Sequence, residues 1–491
     1  GKINRRALPA PALAGGEAAA AGHSPTEAAL AAIWAELLGG HRFGPRDDFF
    51  ELGGHSLLVM HLIARVRERL GFELSLQAIL ARPALGNLAR LIDGSLDADL
   101  PAPAIDWEAE AVLDERIGFG APPAPAEPEA ILLTGATGFL GSFLLDELLR
   151  ETGAEIHCLV RAATPDQAAA RLRSSLEGYG LWDEARAARI KPLPGDLARP
   201  DLGLDAAAWA GLAERIDVIY HNGAAVNFVY PYAALKAANV GGTAEILRVA
   251  GQGRVKPLHF ISTLAVAEAA SAGAAAVAED TGLPALDSDS GYVQSKWVAE
   301  RLVMQARERG LHAWIYRPDR IAGHSVSGAG NRDDFFFRLL AGCVAMGAAP
   351  DLDLAERMLP VDYVARAIVR LSRMPEGAGR AFHLFPREPL AFGAALAAAR
   401  SAGHALDRLP YAEWRARLVE TAAPDHPLYA FVELFPADPA DLDGLGYQTA
   451  IPVDDRATRA ALAASGLDWP PIDGAMLRAY IDFSLGWAGG P

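Results

Sequence analysis

Cysteine is nearly absent from this 491-residue chain, where Cys158 and Cys343 are the only two. Thiols so far apart make neither a disulfide framework nor a Cys-based metal site, so no metal is expected and the chain reads as cytoplasmic. Long apolar runs are missing too. No stretch of about eighteen apolar residues could span a bilayer, and the opening GKINRRALPAPALAGG has no signal-peptide core, so no membrane partner is expected. Positive charge is scarce, with 45 Lys and Arg against 61 Asp and Glu and a net charge of −16. That balance argues against nucleic acid, whose phosphates need clustered basic side chains, and leaves proteins or small molecules as partners. No internal repeat is present. The length exceeds one ordinary core, which predicts two or three domains.

Pro- and Ala-rich stretches mark the divisions. Residues 1–23 read as a remnant and linker, 24–95 as a small helical unit, 96–127 as a second linker, and 128–491 as the main body. In the helical unit, SPTEAALAAIWAELLG has Ser24 as N-cap, Pro25 at the first helical position and Glu27 completing a capping box. Leu30, Ile33, Trp34 and Leu37 then share one face. SLLVMHLIARVRERLG places Leu58, Leu62 and Val66 at intervals of four and stops at Gly71, and ALGNLARLID is a third amphipathic segment. Beyond residue 128 the apolar runs AILLT, EIHCLV, DVIYH, PLHFIS and AWIYR alternate with helical patterns, which predicts a parallel sheet covered by helices on both faces. This core is expected over about 128–320 with parts beyond, and residues 320–491 are expected to be mostly helical.

In DDFFELGGHSLL, Ser56 follows two glycines and has no nearby base to activate it. A serine opening a helix is commonly an N-cap. The context, however, resembles the phosphopantetheine attachment motif of peptidyl carrier proteins. The resemblance implies a small helical bundle with 4'-phosphopantetheine on Ser56, placed there by a phosphopantetheinyl transferase. GKINRRALP resembles the end of an adenylation domain, with Lys2 as its lysine, although a short basic stretch is also an ordinary solvated terminus. The upstream partners so implied are the adenylation and condensation domains of a nonribosomal peptide synthetase.

ILLTGATGFLGSFLLDELL puts Gly135, Gly138 and Gly141 between an apolar strand and an amphipathic helix. There a backbone can approach a pyrophosphate and the helix N-terminus can stabilise it. The GxxGxxG spacing resembles extended short-chain dehydrogenases/reductases, which implies a Rossmann-type α/β fold. It also implies cofactor contacts from Gly135, Thr137, Gly138, Phe139 and Leu140. Arg161 ends the second strand where an NAD-selective site carries an acid, so NADPH is the expected cofactor. Arg171 resembles the second phosphate-binding arginine of carrier-linked thioester reductases. By the same resemblance Asp196 and Leu197 of PGDL, Asn222 and Ala224 of HNGAAVNF, and Asn239 of YAALKAANVGGT border the cofactor, with Asn239 holding Lys296 through a water.

GYVQSK sets Tyr292 and Lys296 one helical turn apart, after a strand that ends in Ser262 and Thr263. A hydroxyl donor, a tyrosine acid and a lysine that lowers the tyrosine pKa form a proton-delivery set. Thr263 is chosen over Ser262 because ISTLAV resembles the thioester-reductase motif. The resemblance also gives Tyr292 and Lys296 a part in holding the cofactor. YRPDRIAG and LPVDYVARAIV resemble the segments joining cofactor and substrate subdomains, and Arg317 and Asp362 within them read as structural. RDDFFFRLLAGCVAMG could line an acyl channel or be plain core.

The expectation is a carrier followed by a terminal thioester reductase that releases a carrier-bound acyl or peptidyl thioester as an aldehyde or a primary alcohol. The alternatives are a free-substrate dehydrogenase or epimerase, a non-redox cyclising domain, and a cofactor-binding docking module.

Overall fold

The computed structural model describes residues 24–488 apart from 40–41, 51, 53, 55, 76–77, 80–81, 96–104, 122–126, 228–229, 272–275, 281, 332–333, 424–425, 437 and 439–451. Lys2 and the rest of the expected adenylation remnant lie outside the described residues. The chain divides into two units, residues 1–105 with 227–234, and residues 106–226 with 235–491.

The first unit is helical: α1 (Pro25–Leu38), α2 (Ser56–Leu70) and α3 (Leu85–Ile92). The capping box forms as its spacing predicts, with Ser24 Oγ accepting the Glu27 N–H at 3.1 Å and Glu27 Oε2 accepting the Ser24 N–H at 2.9 Å. Leu30, Ile33 and Trp34 of α1 meet Val59, Leu62 and Val66 of α2 and Leu85, Leu88 and Leu91 of α3 in one core. Leu58 sits at the rim of that core rather than in it. A strict interval of four overshoots the 3.6-residue turn, so the buried stripe runs through Val59 instead. Gly71 stops α2 with a left-handed φ of +65°, open to glycine at little cost.

In the second unit, a parallel sheet of seven strands forms among the described residues, in the order β7-β6-β5-β4-β1-β2-β3. The strands are β1 (Ala130–Thr134), β2 (Glu155–Val160), β3 (Ile190–Pro194), β4 (Val218–His221), β5 (Leu258–Ile261), β6 (Ala313–Pro318) and β7 (Ala381–Leu384). The five apolar runs supply β1, β2, β4, β5 and β6. Their continuous burial is what a parallel sheet between two helical layers requires. β3 is the edge strand, which is why IKPLP tolerates two prolines without breaking a ladder on both sides.

The helices that matter for the site are α4 (Phe139–Glu151), α5 (Pro165–Gly178), α6 (Gly242–Gly251), α7 (Leu264–Ala270) and α8 (Gly291–Glu308). Further on, α9 (Phe335–Met346), α10 (Val361–Ser372) and several short strands complete the unit. α10 returns to pack on α4 and contributes Val364, Ile368 and Leu371 to the core under β1 and β2. A second apolar core gathers around α9. No helix among the described residues is long and apolar enough to cross a membrane.

Candidate active site

The strand order reverses beside β1, between β4 and β2, and the carboxyl ends of the strands at such a crevice are where open α/β sheets bind ligands. Gly135 leaves β1 with a φ of +74°, and a Cβ there would lie 2.7 Å from the Gly223 Cα. A Cβ on Gly141 would come 1.9 Å from the Gly135 oxygen, so this glycine is required for the helix to pack on the loop. Gly138 differs: its added Cβ would meet only the Gly135 oxygen, at 3.3 Å, and its outer side is open. It caps α4 without a side-chain hydrogen bond, leaving first-turn N–H groups directed at that opening. An uncapped helix N-terminus behind an open glycine fits a pyrophosphate.

Thr137 is held from α5 and Gly138 from within α4. Ser175 Oγ donates to the Thr137 carbonyl at 3.1 Å, Ser142 Oγ donates to the Gly138 carbonyl at 2.9 Å, and the two serines meet at 2.9 Å. Phe139 packs on Phe143 and Tyr179, whereas Leu140 is buried. Arg171, on α5, donates from its guanidinium to the Arg161 carbonyl, so both expected arginines stand at the end of β2. Both are exposed and neither has an ion-pair partner among the described residues. Two unpaired guanidinium groups fit the 2'-phosphate that distinguishes NADPH. Replacing both with Ala is expected to raise KM for NADPH by about 10- to 100-fold, the loss of one or two charge-assisted hydrogen bonds. The KM for NADH should be nearly unchanged, and steady-state kinetics with the two cofactors checks this.

Across the crevice, Asn222 Nδ2 donates to the Gly135 carbonyl at 3.4 Å. The Gly223 N–H donates to Thr134 Oγ1 at 2.8 Å, and Ala224 is half-buried on the same turn. Asp196 closes its own turn by accepting the Ala198 N–H at 3.0 Å, and Leu197 packs beneath Gly223 and Gly242. Asn239 lies in a π-turn, Ala237–Gly241, a local widening often found at functional sites. Its Oδ1 accepts the Ala225 N–H at 2.7 Å, and its Nδ2 donates to the Ala225 carbonyl at 3.0 Å and to Ser295 Oγ at 2.9 Å. It thus meets α8 at Ser295, one residue before Lys296.

Tyr292 and Lys296 occupy the first turns of α8, Tyr292 half-buried and Lys296 only 3% exposed. Lys296 Nζ donates to the Ile261 carbonyl at 2.7 Å and lies 4.2 Å from the centre of the Phe260 ring. Burial lowers its pKa to about 8, and the Glu300 charge opposes that fall. The structure separates the two hydroxyls that follow β5. Ser262 is buried and donates to Glu300 Oε2, whereas Thr263 is half-buried and begins α7 without spending its hydroxyl on the cap. α7 packs against α8, so the element that Thr263 opens and the one that carries Tyr292 are neighbours.

Glu300 is not visible as a functional residue from its motif, although it continues the series Tyr292, Lys296 at the next interval of four. It is fully buried, accepts Arg317 Nε at 2.9 Å and Nη2 at 2.5 Å, and holds Ser262 with its other oxygen. Arg317 in turn donates to His383 Nε2 at 3.0 Å. Burial and the neighbouring Arg317 charge lower the His383 pKa to about 4, so the ring is a neutral acceptor. Asp362 lies apart, accepting the Ser325 N–H at 2.8 Å and pairing with Arg366. Glu300→Gln leaves the buried Arg317 uncompensated, so the unfolding free energy is expected to fall by about 3–5 kcal/mol, measured by denaturant titration. The lost negative charge also lowers the Lys296 pKa further, moving the alkaline fall of kcat/KM to lower pH.

In α9, Phe336, Phe337 and Leu339 belong to the second apolar core, and Phe335, Phe336 and Leu339 line a small apolar cavity with Phe392 and Phe435.

Ser56 is the first residue of α2. Residues 28–92 match the family described as "Phosphopantetheine attachment site", and residues 133–368 match the family described as "Male sterility protein", a NAD-binding family. A crystal structure of the terminal R domain from the myxalamid PKS-NRPS pathway is 42% identical, with a TM-score of 0.68 over 77% of this chain and 96% of that one. The chain belongs to the carrier and terminal-reductase family of nonribosomal peptide synthetases. A thiolation-reductase di-domain from an archaeal synthetase matches at 25% identity and a TM-score of 0.68, covering 94% of this chain and 98% of that one. A linear gramicidin synthase of Brevibacillus parabrevis is 40% identical over 98% of the chain, which spans only 10% of that protein's length. The di-domain and the gramicidin synthase match nearly the whole chain, and the myxalamid domain matches 77% of it.

Proposed function

We propose that this carrier–reductase pair, residues 24–95 and 128–491 on either side of a linker, performs reductive release of an acyl or peptidyl thioester held on Ser56 through 4'-phosphopantetheine. The observation that carries the reading is the division of labour after β5. Lys296 holds the Ile261 carbonyl, Glu300 sequesters Ser262, and Thr263 alone of the two hydroxyls is left for a substrate oxygen. NADPH, when bound, supplies the hydride to the carbonyl carbon. The glycine loop and Arg161 with Arg171 would hold its phosphates, and Tyr292 and Lys296 would serve its nicotinamide end.

Thr263 and Tyr292 donate hydrogen bonds to the thioester carbonyl oxygen, and Tyr292 passes its hydroxyl proton to that oxygen as negative charge develops. The charge on Lys296 favours that tyrosine as a ready acid. The carbon–sulfur bond of the resulting hemithioacetal then breaks, returning the pantetheine thiol and freeing an aldehyde. A second round on the aldehyde gives a primary alcohol with the same three residues. Upstream adenylation and condensation domains supply the acyl chain in this reading, a phosphopantetheinyl transferase supplies the arm, and the reducing compartment is the cytoplasm.

The test is the amount of NADPH oxidised per acyl group loaded on Ser56, with the product identified by mass. One equivalent means aldehyde release and two mean alcohol. No oxidation with a competent acyl group overturns the reading in favour of a tether or cyclising domain.

A further inference from the structure

The floor of the cofactor crevice and the backbone of Tyr292 are the two ends of one buried hydrogen-bond chain, and the ends determine its direction. The Gly223 N–H donates to Thr134 Oγ1 at 2.8 Å. Thr134 Oγ1 also lies 2.8 Å from His221 Nδ1, and the far end of the chain sets which of the two donates. From the other side, Thr243 Oγ1 donates to the Asn239 carbonyl at 2.6 Å, and a carbonyl can only accept. Thr243 must then receive from His221 Nε2, which lies 3.0 Å away. The imidazole is thereby assigned as its Nε2–H tautomer with both nitrogens in use. Beyond the π-turn the chain continues, because Asn239 Nδ2 donates to Ser295 Oγ at 2.9 Å and Ser295 Oγ donates to the Tyr292 carbonyl at 2.8 Å.

The surroundings keep this ring neutral. His221 is 2% exposed, and burial, then the Lys296 charge, lowers its pKa to about 3. Its neighbours are Thr134 on β1, the Phe260 ring 5.7 Å away on β5, Thr243 on α6, and Lys296 on α8. No proton is exchanged by such a group at working pH, so neither acid nor base catalysis accounts for it.

We infer that His221 is a positioning residue, a neutral two-ended strut that sets the cofactor loops at Thr134 and Gly223 against the π-turn and Ser295 that fix Tyr292. The role rests on the reductase reading only for its effect on turnover. The β1–β4 ladder already sets Thr134 opposite His221, and the strut adds directional hydrogen bonds that tie the π-turn and the start of α8 to that pair.

The test uses the full chain in the variants Thr134→Val, Thr243→Val and His221→Phe, with Thr134→Ser and Thr243→Ser as conservative partners. Thr134→Val breaks the cofactor end and is expected to weaken NADPH binding about tenfold, read by NADPH fluorescence without turnover. Thr243→Val breaks the tyrosine end and is expected to lower kcat about tenfold with little change in KM for NADPH. His221→Phe should do both, and the serine variants should restore each value. Nitrogen NMR of histidine-labelled chain should show His221 protonated at Nε2 alone from pH 6 to pH 9. The inference is overturned if the valine variants keep wild-type NADPH affinity and kcat and lose only thermal stability, or if His221 titrates or carries its proton on Nδ1. Should the wild-type chain oxidise no NADPH, the reductase reading fails, while NADPH affinity and the tautomer still decide for or against the strut.

Discussion

Tyr292→Phe is expected to lower kcat by about 10²- to 10⁴-fold, the range that a positioned proton donor contributes, while NADPH affinity stays close to wild type. The ring keeps its packing in the first turn of α8, so only the hydroxyl is lost. The pH profile of the unaltered enzyme should show why that hydroxyl is effective. Lys296 carries its charge below its pKa of about 8 and loses it above, so kcat/KM should hold to about pH 8 and then fall. Unfolding does not explain such a fall. The folded pKa is depressed from the ordinary 10.5, so between about 8 and 10.5 the unfolded chain binds more protons at this site than the folded one. Stability through Lys296 therefore rises with pH in the very window where activity declines. A Phe variant with wild-type kcat, or a flat profile through pH 9, would sink the assignment of Tyr292 and Lys296.

Much of this site is legible in the order of residues alone because its determinants are local. The capping box at Ser24 and Glu27, the glycines between β1 and α4, and the turn between Tyr292 and Lys296 each lie within a few residues, where spacing alone dictates geometry. The choice between Ser262 and Thr263 is different. What distinguishes the two in the fold is a carboxylate 38 residues away that takes the Ser262 hydroxyl, and adjacent hydroxyls on one strand end offer no spacing signal for that. The strut through His221 is less visible still, since its members come from four elements far apart in the sequence and no spacing links them. In the first unit Leu58 and Val59 compete for one buried stripe, and the 3.6-residue turn selects Val59 over the strict interval of four. The two edge strands escape for different reasons: β7 lies beyond residue 320, where the pattern reads as mostly helical, and prolines disguise β3, which needs hydrogen bonds on one side only.

Ser56→Ala is expected to abolish NADPH oxidation that depends on acyl loading, because no other group in this reading carries the arm. Turnover of a free pantetheine thioester or an aldehyde offered in solution should persist in the same variant. The contrast follows from what the serine contributes. A tethered acyl group reaches its site at an effective concentration in the millimolar range for a short flexible link, whereas a free thioester must be supplied at that concentration to match it. The loss should therefore appear as a complete loss with loaded carrier and as an unaltered kcat with saturating free substrate. If the alanine variant also fails on free aldehyde, Ser56 would have to act on the reductase itself. If it still turns over loaded acyl groups, the arm sits elsewhere. Tyr292→Phe gives the opposite pattern, silent on both substrates while the carrier still accepts its arm, so the two variants together separate delivery from chemistry.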